Sequence, residues 1–259
     1  MRGLLLTLLL LPGAAAAAPD GGSRGRCADG LSIKGVLADA AAGRFKGRES
    51  AVSEAIAPYF EYEAFIRKDP DVCAPLKVFE VKHLTYREEE HSGDLRCRMH
   101  YWEIAFAHAF ITRAPGTRGV CVARFLNEGQ VSLARIKEAC GIILERRDDP
   151  DGLCDATAPL LQPRRDVVAI GRCKAYYRAY KGDGAACAKL PPNPEKRLRC
   201  EAYAAFARAT AERDPRLCGD SSLCRALVSG ADDARARLLQ EAKDGVCAVE
   251  AGRAGSTGP

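Results

Sequence analysis

Twelve cysteines, spread through a chain of 259 residues, constrain the fold more than any other feature of this sequence. An even number of cysteines in an oxidising compartment favours disulfide bonds over free thiols. We therefore predict six bridges among Cys27, Cys73, Cys97, Cys121, Cys140, Cys154, Cys173, Cys187, Cys200, Cys218, Cys224 and Cys247. A chain of this length can bury a core of its own, so the bridges are expected to reinforce a packed fold rather than replace one.

The N-terminal residues predict export. A basic residue at position 2 precedes an apolar run over residues 3–11, and the small residues at 14–18 are those that a signal peptidase accepts. We predict a secretory signal peptide over residues 1–17, cleaved near Ala17, and a secreted or periplasmic protein. The apolar run is too short to cross a bilayer, and no membrane span is predicted elsewhere.

The remainder of the chain is predicted to form one unit. Residues 18–26 and 251–259 are rich in Gly, Ser and Arg, which indicates flexible tails on either side of a single cysteine-rich helical domain over 27–250. The formal net charge is +5, which is mild for this length, so nucleic acid is not an expected partner.

The cysteines alternate between two sequence contexts. One kind follows a helix-start residue by about one turn, as Cys73 follows Asp69 and Cys187 follows Asp183. The other kind lies within a helical pattern and follows a basic residue, as in Arg199-Cys200. This order recurs from Cys73 to Cys224 and predicts an all-α fold of irregular, solenoid-like helical-hairpin repeats. The alternation is similar in architecture to exported, disulfide-stapled helical repeats of the Sel1-like cysteine-rich kind, a resemblance that implies no activity and no site residues.

Hydrophobic periodicity supports helices. An apolar stripe at Leu95, Met99, Trp102, Phe106 and Phe110 predicts a central core helix of about twenty residues. Similar patterns predict helices over 51–66, 131–144, 166–180 and 193–209, the last opened by an Asn-Pro cap. The stretch 78–86 is the one ambiguous strand candidate.

The geometry of a helical hairpin narrows the cysteine pairing. Two residues of antiparallel helices lie level when they are equally far from the turn. This favours the pairs Cys73–Cys97, Cys121–Cys140, Cys154–Cys173 and Cys187–Cys200, which leaves Cys27, Cys218, Cys224 and Cys247 to pair among themselves. A competing scheme, with Cys140–Cys154 and Cys173–Cys187, is nearly as level.

The most uneven charge lies over residues 164–199, which hold ten basic and three acidic residues with tyrosines interleaved. We call this stretch the basic segment. Such a surface can bind phosphates or carboxylates of an anionic glycan, a lipid headgroup or an envelope protein. The alternative is a solvated helix face whose tyrosines pack within a helical hairpin. The candidate ligand-binding residues are Arg172, Lys174, Tyr177 and Arg178.

Two further groups of residues suggest chemistry less directly. Four histidines fall within one stretch, at His83, His91, His100 and His108. Closely spaced aspartates at 148–155 resemble part of a calcium loop, although a helix cap already explains Asp149. We predict no catalytic residue, metal or cofactor.

The leading interpretation is an exported, non-enzymatic binding or scaffold protein that is monomeric or weakly associating. The alternative is an exported, hydrolase-like enzyme with a Glu/His site within residues 83–108, for which Glu103 would have to converge with His100 in a pocket.

Overall fold

A computed structural model describes residues 27, 30–82, 90–127, 131–161, 167–229 and 231–252. Within them the α-helices are α1 (Ile33–Ala41), α2 (Glu49–Arg67), α3 (Gly93–Thr112), α4 (Thr117–Asn127), α5 (Leu133–Glu145), α6 (Pro150–Leu161), α7 (Val167–Ala179), α8 (Pro194–Glu212), α9 (Ser222–Val228) and α10 (Ala231–Glu250). The predicted all-α class is confirmed. The predicted signal peptide, the tail over 18–26 and residues 253–259 lie outside the described residues.

Short elements connect these helices. Three 3-10 segments span Pro70–Val78, Gly184–Lys189 and Pro215–Cys218. Strands β1 (Glu80–Lys82) and β2 (Glu90–Ser92) form an antiparallel pair in which Val81 lies opposite His91. The ambiguous stretch 78–86 thus contains a three-residue strand, and its part over 83–86 lies outside the described residues.

Aspartate caps begin several elements, as the sequence indicates. The side chains of Asp69, Asp183 and Asp214 each accept a hydrogen bond from a backbone N–H two or three residues later. Each of these three caps begins a 3-10 segment rather than an α-helix. Thr117 precedes Cys121 by the same four residues, but its hydroxyl donates to the backbone carbonyls of Ala109 and Ala114 at the end of α3.

The apolar stripe of α3 is buried only in part. Phe106 and Phe110 lie in the core, whereas Leu95 and Met99 are each about two-fifths exposed. The difference follows the length of the helix: Phe106 and Phe110 pack against Tyr177, whereas the first half of α3 is buried on its other side, where the bridge at Cys97 holds it against the Pro70–Val78 segment. Leu95 and Met99 lie two residues before and after Cys97, on the opposite side of the helix.

All twelve cysteines form bridges, which are Cys27–Cys247, Cys73–Cys97, Cys121–Cys140, Cys154–Cys173, Cys187–Cys200 and Cys218–Cys224. The favoured pairing is confirmed, and the competing Cys140–Cys154 scheme is wrong. Five of the bridges join elements that follow one another along the chain, with Cα–Cα distances of 5.4–5.9 Å. The sixth joins Cys27 to α10.

The helices close into a ring of contacts. Each helix from α2 to α10 packs on the next, α10 returns to pack on α2, and α8 crosses to α3. In a solenoid each repeat contacts only its neighbours, so the solenoid-like arrangement is not confirmed. The closure brings α2, α3 and α8 together. The charged side chains of Glu61, His100 and Arg199 lie where these three helices meet.

Candidate functional site

Three ion pairs join the basic segment to the acidic stretch at the start of α6. They are Lys174–Asp155, Arg178–Asp151 and Lys181–Asp148, and we call this row the charge ladder. The acidic members are spaced by three and four residues, and so are the basic members. This spacing keeps each set on one helix face, and the antiparallel packing of α6 on α7 brings the two faces together.

The ladder lies at the surface, where the carboxylates are 43–68 % exposed. A hydrogen bond from Arg178 lowers the pKa of Asp151, and one from Lys181 lowers the pKa of Asp148. Three of the four aspartates of the calcium-like stretch therefore pair with the basic segment, and the fourth, Asp149, accepts from the backbone N–H of Gly152. Across the described part of the chain, no group of three or more His, Cys, Asp or Glu side chains is placed to hold a metal ion.

The structure places the four candidate ligand-binding residues in different environments. Tyr177 is 5 % exposed, and its ring packs against Phe106 and Phe110 in the core. Lys174 and Arg178 belong to the charge ladder. Arg172 is half-buried and has no hydrogen bond or ion pair through its side chain within the described residues. The four residues are thus not presented on one open surface.

A second group of charges lies inside the molecule, where α2, α3 and α8 meet. Glu61 accepts from His100, with 2.6 Å between Oε1 and Nδ1, and from Arg199, with 3.3 Å between Oε2 and Nη2. Arg199 also lies 3.9 Å from a carboxylate oxygen of Glu103. The side chains of these four residues are only 5–24 % exposed. We call them the Glu61 cluster.

Neighbouring positive charges keep the carboxyl group of Glu61 ionised. Burial alone raises the pKa of Glu61, but the charges of His100 and Arg199, together with the hydrogen bond from His100, outweigh burial and lower this pKa to about 2. Because Glu61 is then ionised at neutral pH, Nδ1 of His100 must carry the proton that it donates. The 2.9 Å approach of Arg199 Nη2 to the same nitrogen is therefore a close contact and not a second hydrogen bond.

Both oxygens of Glu61 are occupied by these partners, which limits what the cluster can do chemically. A general base works best when its pKa lies near the operating pH, and that of Glu61 lies far below it. The arrangement is that of a buried cluster of ion pairs that joins three helices.

Sequence reasoning found half of this cluster. It singled out His100 and Glu103, which both contact Arg199, but it named Arg199 only as the residue before Cys200 and did not name Glu61. One signal was present, because arginines precede several mid-helix cysteines. Arg96 and Arg199 both occupy this position, both are largely buried, and they reach carboxylates of α2 that lie two turns apart, Glu54 and Glu61.

The other histidines do not join the Glu61 cluster. His108 lies two turns further along α3, stacked on Phe206 with 5.6 Å between ring centroids and edge-on to Phe65 at 5.1 Å. His91 lies in β2, and His83 lies outside the described residues.

Among the helices that the structure describes, none is both long and apolar enough to span a membrane. Comparison with protein-family models, with curated proteins and with solved structures finds no match to this chain.

Proposed function

We propose that this chain is an exported, disulfide-stapled, helical binding protein rather than an enzyme. The observation that carries the proposal is the set of six bridges, one of which ties Cys27 near the start of the described chain to α10 near its end. Disulfides persist in secreted and periplasmic proteins, so the bridges are compatible with an extracellular or periplasmic location. A signal peptide over residues 1–17, a single domain over 27–250 and an origin of the hairpins in an irregular repeat belong to the same proposal.

The bridges favour a rigid binding surface over a moving one. Native disulfides that close loops of this kind contribute about 2–5 kcal/mol each, chiefly by restricting the unfolded chain. Each of the five bridges between Cys73 and Cys224 ties together the two elements of one pair, so relative movement within each pair is restricted. A preorganised surface binds a partner without the entropic cost of ordering itself.

The ligand class that the basic segment supports is anionic, as in a glycan, a lipid headgroup or an acidic envelope protein. The charge ladder uses three of its basic side chains. Three other basic residues of this segment form no ion pair within the described residues: Arg172, Lys189 and Lys196. Their positive charges can therefore pair with an anionic ligand. Ion pairs with such a partner weaken as salt increases.

The test is binding of the oxidised, full-length secreted protein to an immobilised anionic polysaccharide, with phosphatidylglycerol vesicles as a second probe. We expect retention that falls with salt and is weakened several-fold by Arg172→Glu and Lys196→Glu together. Arg135→Glu with Lys137→Glu is the matched control, because both residues are exposed on α5 outside the basic segment. Equal weakening by both pairs, or retention that resists high salt, would contradict a binding role for this segment.

A second candidate function is an exported, hydrolase-like enzyme. One observation favours it, since Arg199 contacts both His100 and Glu103, the two residues that such a site requires. Against it stand the low pKa of Glu61 and the engagement of both of its carboxylate oxygens by His100 and Arg199. Hydrolysis of a chromogenic ester by the purified protein that disappears in His100→Gln, with folding intact, would favour the enzyme over the binding protein.

A further inference from the structure

A pocket of about 400 Å³ lies between the C-terminal halves of α3 and α8 and the end of α9. Its walls include His108 from α3, Phe206 and Thr210 from α8, and Leu227 and Val228 from α9. The bridge Cys218–Cys224 ties α9 to the Pro215–Cys218 segment that follows α8. Both cysteines pack in one cluster with Phe206 and Ala209 of α8, which holds α9 beside the pocket.

The pocket wall is apolar and aromatic. The imidazole of His108 stacks on Phe206 with an interplanar angle of 19°. Burial lowers the pKa of His108, so the ring is neutral at pH 7 and adds no charge to the wall. Aromatic rings and branched aliphatic side chains of this kind pack well against a flat apolar group.

Two polar groups of the pocket have unused hydrogen-bonding capacity. Arg213, the left-handed residue that follows α8, lines the pocket and is exposed, and its guanidinium has no partner within the described residues. The hydroxyl of Thr210, one turn earlier, also makes no hydrogen bond within the described residues. A guanidinium beside a hydroxyl suits a carboxylate, which accepts hydrogen bonds from both.

We propose that this pocket binds small aromatic monocarboxylates. The ring lies against Phe206, Leu227 and Val228, and the carboxylate pairs with Arg213. A volume of about 400 Å³ is near the lower end for ligand sites, so the ligand is a single-ring or fused-ring acid rather than a lipid or a polymer. The site is separate from the basic segment, and its occupancy does not depend on whether that segment binds a polyanion.

The test is isothermal titration calorimetry of the oxidised, full-length protein with phenylacetate and with its neutral counterpart phenylacetamide. We expect one saturable site for phenylacetate and at least about tenfold weaker binding of the amide, because a charge-assisted hydrogen bond is lost. Arg213→Gln should remove this preference. Lys68→Gln should leave it intact, and it is the matched control because Lys68 is the left-handed residue after α2 and lies away from the pocket.

A second variant tests the space inside the pocket and leaves Arg213 unchanged. Val228→Trp fills the cavity, and it should abolish binding of both compounds while the helical circular dichroism and the melting temperature stay close to those of the unchanged protein. The proposal is overturned if phenylacetate shows no saturable binding up to about 10 mM. It is equally overturned if Lys68→Gln weakens binding as much as Arg213→Gln, or if folded Val228→Trp binds normally.

Discussion

The charge ladder and the Glu61 cluster are built from the same kinds of side chain but differ in depth. The ladder carboxylates are 43–68 % exposed, whereas Glu61 is 5 % exposed and its partner Arg199 is 12 % exposed. Water and salt screen the first set, while the second interacts across protein interior. The position of an ion pair, rather than its chemistry, therefore decides how much it matters to the fold.

The two sets also differ in the distance over which they connect the chain. The ladder joins α6 to α7, neighbours that the Cys154–Cys173 bridge already holds. The Glu61 cluster joins residues 138 positions apart, Glu61 and Arg199. The cluster thus stabilises the closure of the ring, whereas the ladder adds to a contact that is secure without it.

The largest effect is expected from Glu61→Gln, which keeps the size of the side chain but removes its charge. Arg199 then remains buried, with Glu103 as a distant carboxylate partner at 3.9 Å. We expect the free energy of unfolding to fall by about 3–5 kcal/mol, because removing one partner of a buried ion pair is costly. Urea unfolding of the oxidised protein, followed by circular dichroism, measures this change.

The ladder supplies the control for this prediction. Asp155→Asn removes a carboxylate of similar chemistry that is 59 % exposed, and it is expected to cost less than about 1 kcal/mol. Equal losses in the two variants would show that burial does not distinguish the two sets.

The sequence predicts the local features of this molecule better than the distant ones. The pairing of Cys154 with Cys173 was predicted from their equal distance from a turn, and the structure contains this bridge. The ladder is equally local, since the spacing of the aspartates at 148–155 matches that of the basic residues at 174–181. Sequence reasoning treated the two stretches as separate candidate sites because it considered each helix alone.

The distant features depend on packing that no local pattern specifies. The return of α10 onto α2 was not predicted, and it is what distinguishes this ring from a solenoid. Glu61 has the same residue type as many solvated helix positions, and only the approach of Arg199 from α8 makes it a buried partner. The pocket at His108 likewise requires α3, α8 and α9 together.

Acid is expected to remove the contribution of Glu61. Its pKa is about 2 in the folded protein and 4.5 in the unfolded chain, so folding favours the ionised form. That stabilisation is complete above pH 4.5 and is lost as the pH falls toward 2. The shift corresponds to about 3 kcal/mol in total. Urea midpoints at several pH values between about 6 and 3 measure the loss.

Comparison with Glu61→Gln isolates this one group. Asp148, Asp151 and Asp214 also have lowered pKa values, but they are present in both proteins, so their contributions cancel in the difference. The stability difference between the two proteins should shrink as the pH falls below 4.5. A difference that stays constant down to about pH 3 would show that Glu61 does not titrate as its partners require.

The smallest effect is expected from Lys174→Gln in the ladder. The pair with Asp155 is partly exposed on both sides, 31 % and 59 %, so its loss should cost less than about 1 kcal/mol. Because ions screen exposed charges, this small cost should disappear in about 1 M salt, whereas that of Glu61→Gln should largely persist. Lys137→Gln, an exposed lysine of α5 outside the ladder, is the control for loss of one positive charge. Lys174→Gln could instead lower the free energy of unfolding as much as Glu61→Gln does, with no dependence on salt. The ladder would then stabilise the fold as much as the Glu61 cluster, and burial would not explain how the two sets differ.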